Sequence, residues 1–143
     1  MATECKLYRG VKPQIIPPNT WTLVTYEKAI SNDRHMARDL SLIMPPFDGR
    51  FWWARNLRWA AITIPPGDAR PRQIMSRFVR DPHGIGDDTG ADDRLATPGR
   101  SWQTVAWPFA GQAGQPVGVE AWHDHTDDWP LEHAQFVGTT EDY

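Results

Sequence analysis

The chain carries a single cysteine, Cys5, in 143 residues, so no intrachain disulfide can form. A fold built on it does not depend on an oxidising compartment. Lysine is nearly as scarce, with three Lys against twelve Arg. That bias fits codon usage in a GC-rich genome, and Arg also suits forked contacts at interfaces. Basic charge is not in excess: the formal net charge is −3 and the sequence pI ≈ 5.9. An acidic chain gives no electrostatic reason to expect a nucleic-acid partner. Long apolar runs are missing too. The longest uncharged stretch, residues 101–119, is interrupted by Gln, Gly and Pro, which argues against a membrane partner. The opening MATECKLYRG has no apolar segment of the kind found in secretion signals, so synthesis in the cytoplasm is expected. Helical periodicity and internal repeats are absent as well.

What the chain has is tryptophan, with eight in all, and 40% hydrophobic residues broken up by thirteen Pro and eleven Gly. Each Trp buries a large surface and carries one N–H that needs an acceptor. The length fits one domain with one core. Short apolar-aromatic runs alternate with turn punctuation, which is the signature of closely packed antiparallel strands. WTLVTY (21–26), residues 40–44, 50–62, 72–80, 101–109, 116–125 and 131–141 read as strands. Within 50–62, period-two alternation places Phe51, Trp53, Leu57, Trp59 and Ala61 on one face, with Arg55 among them. Trp52, Asn56 and Arg58 fall on the other. Residues 28–39 and the Gly-Asp-rich 81–100 read as loops. Pro13, Pro17 and Pro18 exclude a helix from residues 1–19, which read as an extended N-terminal arm ahead of a domain over 20–143.

The chemistry-bearing residues are few. His123 and His125 share one face of a strand, with His133 nearby, and two imidazoles so placed are candidate transition-metal ligands. Hydrogen-bonded or solvent-facing histidines at a strand end are the simpler reading. The H-x-H segment is similar to that of cupins, with Glu132 and Gly138 in the places that follow. Six residues separate His125 from Glu132, more than cupin spacing, and the second cupin motif has no room in the five residues after Gly138. Asp81, Asp87, Asp88, Asp92 and Asp93 are carboxylates of the kind that bind calcium, but they lack EF-hand register and read as a solvated loop. No serine sits in a nucleophile elbow, no phosphate loop is present, and no carboxylate pair stands out. No cofactor and no enzymatic activity are expected.

Three further stretches carry a resemblance. Pro46-Phe47-Asp48-Gly49-Arg50-Phe51-Trp52 is a turn running into an aromatic strand. Ser101–Phe109, then Gly111 and Gly114, then Val117 and Val119, make strand, turn and Val-rich strand. Phe136-Val137-Gly138 closes the chain. Their order over residues 20–141 resembles the tumour-necrosis-factor-like jelly roll, which includes the globular heads of complement and collagen-type proteins. The resemblance implies an all-β antiparallel sandwich of jelly-roll topology and a compact homotrimer. It marks Trp21, Trp52, Trp59, Trp122 and Phe136 as trimer interface or adjoining core. Such modules occur in secreted ligands and in bacteriophage virions. The expectation is therefore a non-enzymatic virion protein, a homotrimeric capsid decoration protein on the exterior of the particle. Its partners would be its own copies and the major capsid protein, the latter met by Ile15 and Ile16 of the arm. The alternatives are a tail-associated glycan-binding module and a cupin-like metal-binding protein.

Overall fold

A computed structural model describes residues 2–62, 72–82, 87–96 and 99–141. In chain order the strands are β1 (Ala2–Arg9), β2 (Gln14–Ile16), β3 (Thr22–Leu23), β4 (Lys28–Asn32), β5 (Ala37–Arg38), β6 (Leu42–Ile43), β7 (Gly49–Ile62), β8 (Gln73–Arg80), β9 (Asp87–Leu95), β10 (Gly99–Gly111), β11 (Val117–His123) and β12 (Trp129–Glu141). One 3-10 turn, Asp33–His35, is the sole helical element among the described residues. The strands form two six-stranded antiparallel sheets. Sheet A runs β10-β7-β12-β1-β4, with β2 also on β12. Sheet B runs β5-β6-β11-β8-β9, with β3 also on β11.

The core lies between the sheets and is built by the alternation expected of β7. Phe51, Trp53, Leu57 and Trp59 are fully buried, while Ala61 at the strand end is exposed. Trp53 stacks on Phe51, Phe109 and Phe136 with ring centroids 5.4, 5.0 and 5.9 Å away. Each core tryptophan has found an acceptor. Trp53 Nε1 donates to the Phe109 carbonyl (3.2 Å), Trp59 Nε1 to Gln103 Oε1 (2.9 Å) and Trp129 Nε1 to the Ala60 carbonyl (2.8 Å). Gly138 is needed for this packing, since a Cβ there would lie 2.8 Å from Trp53 Cζ3.

Arg55 stands on the same inward face and ties the two sheets together. Its Nε donates to Ser76 Oγ (2.8 Å), and its Nη2 to the carbonyls of Ser76 (3.0 Å) and Gly90 (2.7 Å). The guanidinium lies 4.5 Å from the Phe78 ring centroid. Burial lowers its pKa to about 10, with Asp92 and Tyr26 acting in the opposite sense, so it stays charged at neutral pH. An apolar replacement removes the cation but leaves the carbonyls it served without a donor. Arg55→Met is therefore expected to cost about 1–3 kcal/mol, measured as a lower urea midpoint at unchanged slope.

Two segments differ from the sequence reading. The first is the arm, residues 1–19. Its described part is integral to the body: β1 pairs with β12 on one side and β4 on the other, and β2 pairs with β12. Thr3, Cys5, Leu7 and Arg9 alternate inward. Arg9 is tolerated there because it donates to Thr25 O (2.8 Å), Lys12 O (2.6 Å) and Thr25 Oγ1 (2.9 Å). Burial, with Asp33 and Glu4 nearby, pushes the Cys5 thiol up to about 12. The second is the acidic loop, much of which is β9, an edge strand paired with β8. Its Gly90, at φ +62°, lets the strand approach Phe78, where a Cβ would lie 3.0 Å away.

Candidate interaction surface

The outward face of sheet A is read directly from the ladders. Paired residues share a face, so four rows cross the sheet. One row is Pro108, Trp52, Thr139 and Glu4, and the next is Ala106, Ala54, Val137 and Lys6. Then come Thr104, Asn56, Gln135, Tyr8 and Lys28. The last is Trp102, Arg58 and His133. The centre is flat because Ala106, Ala54 and Val137 have short side chains. Aromatic groups border it at both ends. Trp52 and Trp102 remain 55% and 43% exposed, unusual for residues of that size.

At one border Tyr8 meets the His133 ring edge-on at 5.2 Å, Trp102 lies 5.9 Å from it, and the Arg58 guanidinium sits 5.4 Å from the Trp102 ring. Burial and the Arg58 charge lower the His133 pKa. At the other border an open depression of about 500 Å³ is lined by Arg50, Trp52, Pro108, Phe109 and Ala110.

Of the residues expected at an interface or in the core beside it, Trp52 lies on this face, and Trp59 and Phe136 are core. Trp21 and Trp122 lie together on the outward side of sheet B, ring centroids 6.4 Å apart. There Arg77 stands 3.8 Å over Trp21 and pairs with Glu120 at 2.7 Å. Ile16 is wholly buried, whereas Ile15 is exposed. Tyr8, Trp102 and the small central residues were not singled out from sequence. The alternation that exposes Trp52 also exposes Arg58, but only the register brings Trp102 and Tyr8 beside it.

The histidines do not converge. His123 is fully buried, and its Nε2 lies 2.7 Å from the Ile16 carbonyl. Its Nδ1 accepts from the His125 N–H at 3.1 Å, so neither ring nitrogen is left for a metal. His125 lies just beyond β11, packed against Trp129 with centroids 5.8 Å apart. A register shift between Leu131 and His133 turns His133 to the outward face of sheet A, away from the other two. Among the described residues no group of three His, Cys, Asp or Glu is placed to hold a metal ion. Two carboxylates of β9 have hydrogen-bonding protein partners: Asp92 takes Arg94 (3.0 Å) and Gln103 (3.2 Å), and Asp93 takes Gln73 (2.5 Å).

No protein-family model matches the chain, and no curated protein matches it. Solved structures do. An Eiger TNF from S. frugiperda superposes with a TM-score of 0.69 at 7% identity, over 99% of this chain and 94% of that one. The globular domain of zebrafish complement 1qA gives 0.65 at 8% identity, over 100% of this chain and 98% of that one. At such identities the likeness establishes the fold alone. The chain is an all-β antiparallel sandwich of jelly-roll topology, similar to those of TNF and the complement head.

Proposed function

We propose that the protein is a non-enzymatic structural module that assembles with its own copies, as a homotrimer, through the outward face of sheet A, and that it serves as a capsid decoration protein on the exterior of a bacteriophage virion. The observation that carries the assembly is the flat Ala106–Ala54–Val137 centre between two aromatic borders. A surface of short side chains offers no enclosure for a small molecule but accepts a broad, shape-matched partner. A face of this kind, met by a different patch on the next copy, closes into a ring when the rotation allows. The virion role extends the sequence reading, amended at the arm. With Ile16 in the core, contact with the major capsid protein falls to the exposed Ile15 and the neighbouring Val11, which is 88% exposed.

Sedimentation velocity tests the assembly. The wild-type chain is expected to run as a trimer, and Ala54→Arg as a folded monomer with unchanged circular dichroism. A wild-type chain that stays monomeric at micromolar concentration overturns it. Purified virions test the location: many copies per head support decoration, and absence from the particle removes it. The depression at Arg50 and Trp52 favours a second reading, a tail-associated glycan-binding module. That reading expects glycan titration to change the fluorescence of the wild type and not of Trp52→Ala.

A further inference from the structure

The core between the sheets holds donor hydrogens that no protein atom accepts, on Arg55 Nη1 and on the Tyr26 hydroxyl. A guanidinium carries its N–H groups in a fixed fork and has no acceptor of its own. Arg55 directs Nε and Nη2 at Ser76 Oγ and at the carbonyls of Ser76 and Gly90. Its Nη1, shielded from water, has no partner among the described residues. The Tyr26 Oη is shielded and unpartnered in the same way. Arg55 is 1% exposed and Tyr26 4%. Burial raises the Tyr26 pKa, so the hydroxyl keeps its proton and is able to donate. The two side chains share one neighbourhood. Arg55 and Phe136 stand opposite each other on the β7-β12 ladder, and the Tyr26 ring packs on Phe136 with centroids 6.3 Å apart. The guanidinium lies 4.5 Å from the Phe78 centroid, and Phe78 is 6.1 Å from Phe136. Each of the two groups also shifts the titration of the other.

Charge in this neighbourhood is as one-sided as its hydrogen bonding. None of the groups that accept from Arg55 is a carboxylate. Asp92, the acid whose charge it senses, is engaged by Arg94 (3.0 Å) and Gln103 (3.2 Å). Arg9, whose charge also reaches Tyr26, is buried too and donates only to oxygens of Thr25 and Lys12. Glu27, the acid that senses Arg9, is held by the N–H groups of Gly10, Val11 and Lys12. A chain of net charge −3 thus has a positive interior. A buried cation with no counter-charge in contact is costly, and unpaired donors add to the cost. Water meets this need poorly, because it brings two hydrogens of its own and the Tyr26 oxygen is the one acceptor at hand. An anion meets both needs, since it accepts from every donor and cancels the charge. Phosphate or sulfate carries more acceptor oxygens than these donors serve, and the flanking Phe78 and Phe136 rings add no donor. A spherical halide leaves no oxygen unserved.

We propose that Arg55 Nη1 and Tyr26 Oη hold a chloride ion between the two sheets, and that the chain folds around it as a resident counter-ion. The ion joins the tie that Arg55 makes from β7 to β8 and β9 with the connection between β3 and β4, which carries Tyr26. The site lies inside one protomer and does not depend on the assembly proposed above.

Two measurements test it. The first is urea unfolding at constant ionic strength, with sodium gluconate replaced stepwise by sodium chloride. The wild-type midpoint is expected to rise with chloride, because an ion bound only by the native state stabilises it by mass action. Tyr26→Phe removes one donor and little volume. It is expected to bind chloride at least about tenfold more weakly, so its midpoint responds only at correspondingly higher concentration. General salt effects on apolar burial act on both proteins alike and cancel in the comparison. The second is a crystal structure of wild-type protein refolded and crystallised in sodium bromide. An anomalous-scattering peak is expected in contact with Arg55 Nη1 and Tyr26 Oη. Equal chloride responses in wild type and Tyr26→Phe overturn the proposal. So does a bromide-grown crystal in which that position holds water or no ordered atom.

Discussion

Trp53→Ala is expected to remove about 3–5 kcal/mol of stability, a large share of the roughly 5–15 kcal/mol that a domain possesses. Trp53 is fully buried, and three aromatic rings converge on it. Phe51 precedes it on β7, Phe109 comes from β10 and Phe136 from β12, all within 6 Å between centroids. Gly138, with no Cβ, forms the floor beneath its six-membered ring. Truncation leaves a void whose walls are the interior of a long three-strand ladder, and such walls collapse poorly. The indole N–H and its acceptor, the Phe109 carbonyl, part company as well. Trp53→Phe keeps most of the ring contacts and loses only the hydrogen bond and part of the volume, so its cost is expected to be roughly half or less. Urea denaturation followed by tyrosine-region circular dichroism measures both. An alanine variant within 1 kcal/mol of wild type would mean that the four-ring stack is not the centre of the core.

The stack was legible in sequence because alternation along Arg50–Ile62 is strong and every second residue is large. The fold class was legible for the same reason, repeated in β8, β10, β11 and β12. The arm was not. In β1 the inward set is Thr3, Cys5, Leu7 and Arg9, of which two are polar, so its periodicity is faint beside the signal of Pro13, Pro17 and Pro18. What makes it a strand is position: β12 and β4 supply hydrogen-bond partners on both sides, a tertiary effect that overrides local composition. β9 failed in a related way. Asp88, Asp92 and Asp93 look like a solvated loop, yet an edge strand tolerates charge. Of the interaction face, Trp52 and Arg58 were visible as the outward side of one strand. The flat centre was not, because Ala54, Ala106 and Val137 are unremarkable singly and meet only through the β10-β7-β12 register. His123 and His125 were visible as a pair, but the acceptor that occupies His123 comes from Ile16, 107 residues away.

That acceptor gives the second large expected effect, an acid-dependent loss of stability. A carbonyl only accepts and an amide N–H only donates, so the proton of His123 sits on Nε2, facing Ile16, and Nδ1 takes the His125 N–H. The ring is neutral and lies edge-on to Trp59 and Trp129, centroids 5.9 and 5.4 Å away. Protonating Nδ1 would set one N–H against another inside an apolar wall. Burial accordingly lowers the folded-state pKa, and His125 adds to that, while the Ile16 bond and the charges of Asp124 and Asp128 pull the other way. In the unfolded chain the group titrates near 6.5. Below that value the unfolded state binds a proton that the native state refuses, so stability is full above about pH 7 and falls as pH falls. For one such group the slope cannot exceed about 1.4 kcal/mol per pH unit, and it levels off once the pH falls below the lowered folded-state value. His133, lowered by burial and by Arg58, acts in the same direction. A glutamine at position 123 can donate to the Ile16 carbonyl and accept from His125 without titrating. His123→Gln is therefore expected to flatten most of the pH dependence over this window, while His133→Gln flattens less of it. Urea midpoints at pH 5, 6 and 7 decide the matter. Equal wild-type midpoints across that range, or an undiminished slope in His123→Gln, would show that the junction of β2, β11 and β12 is not held by a neutral imidazole.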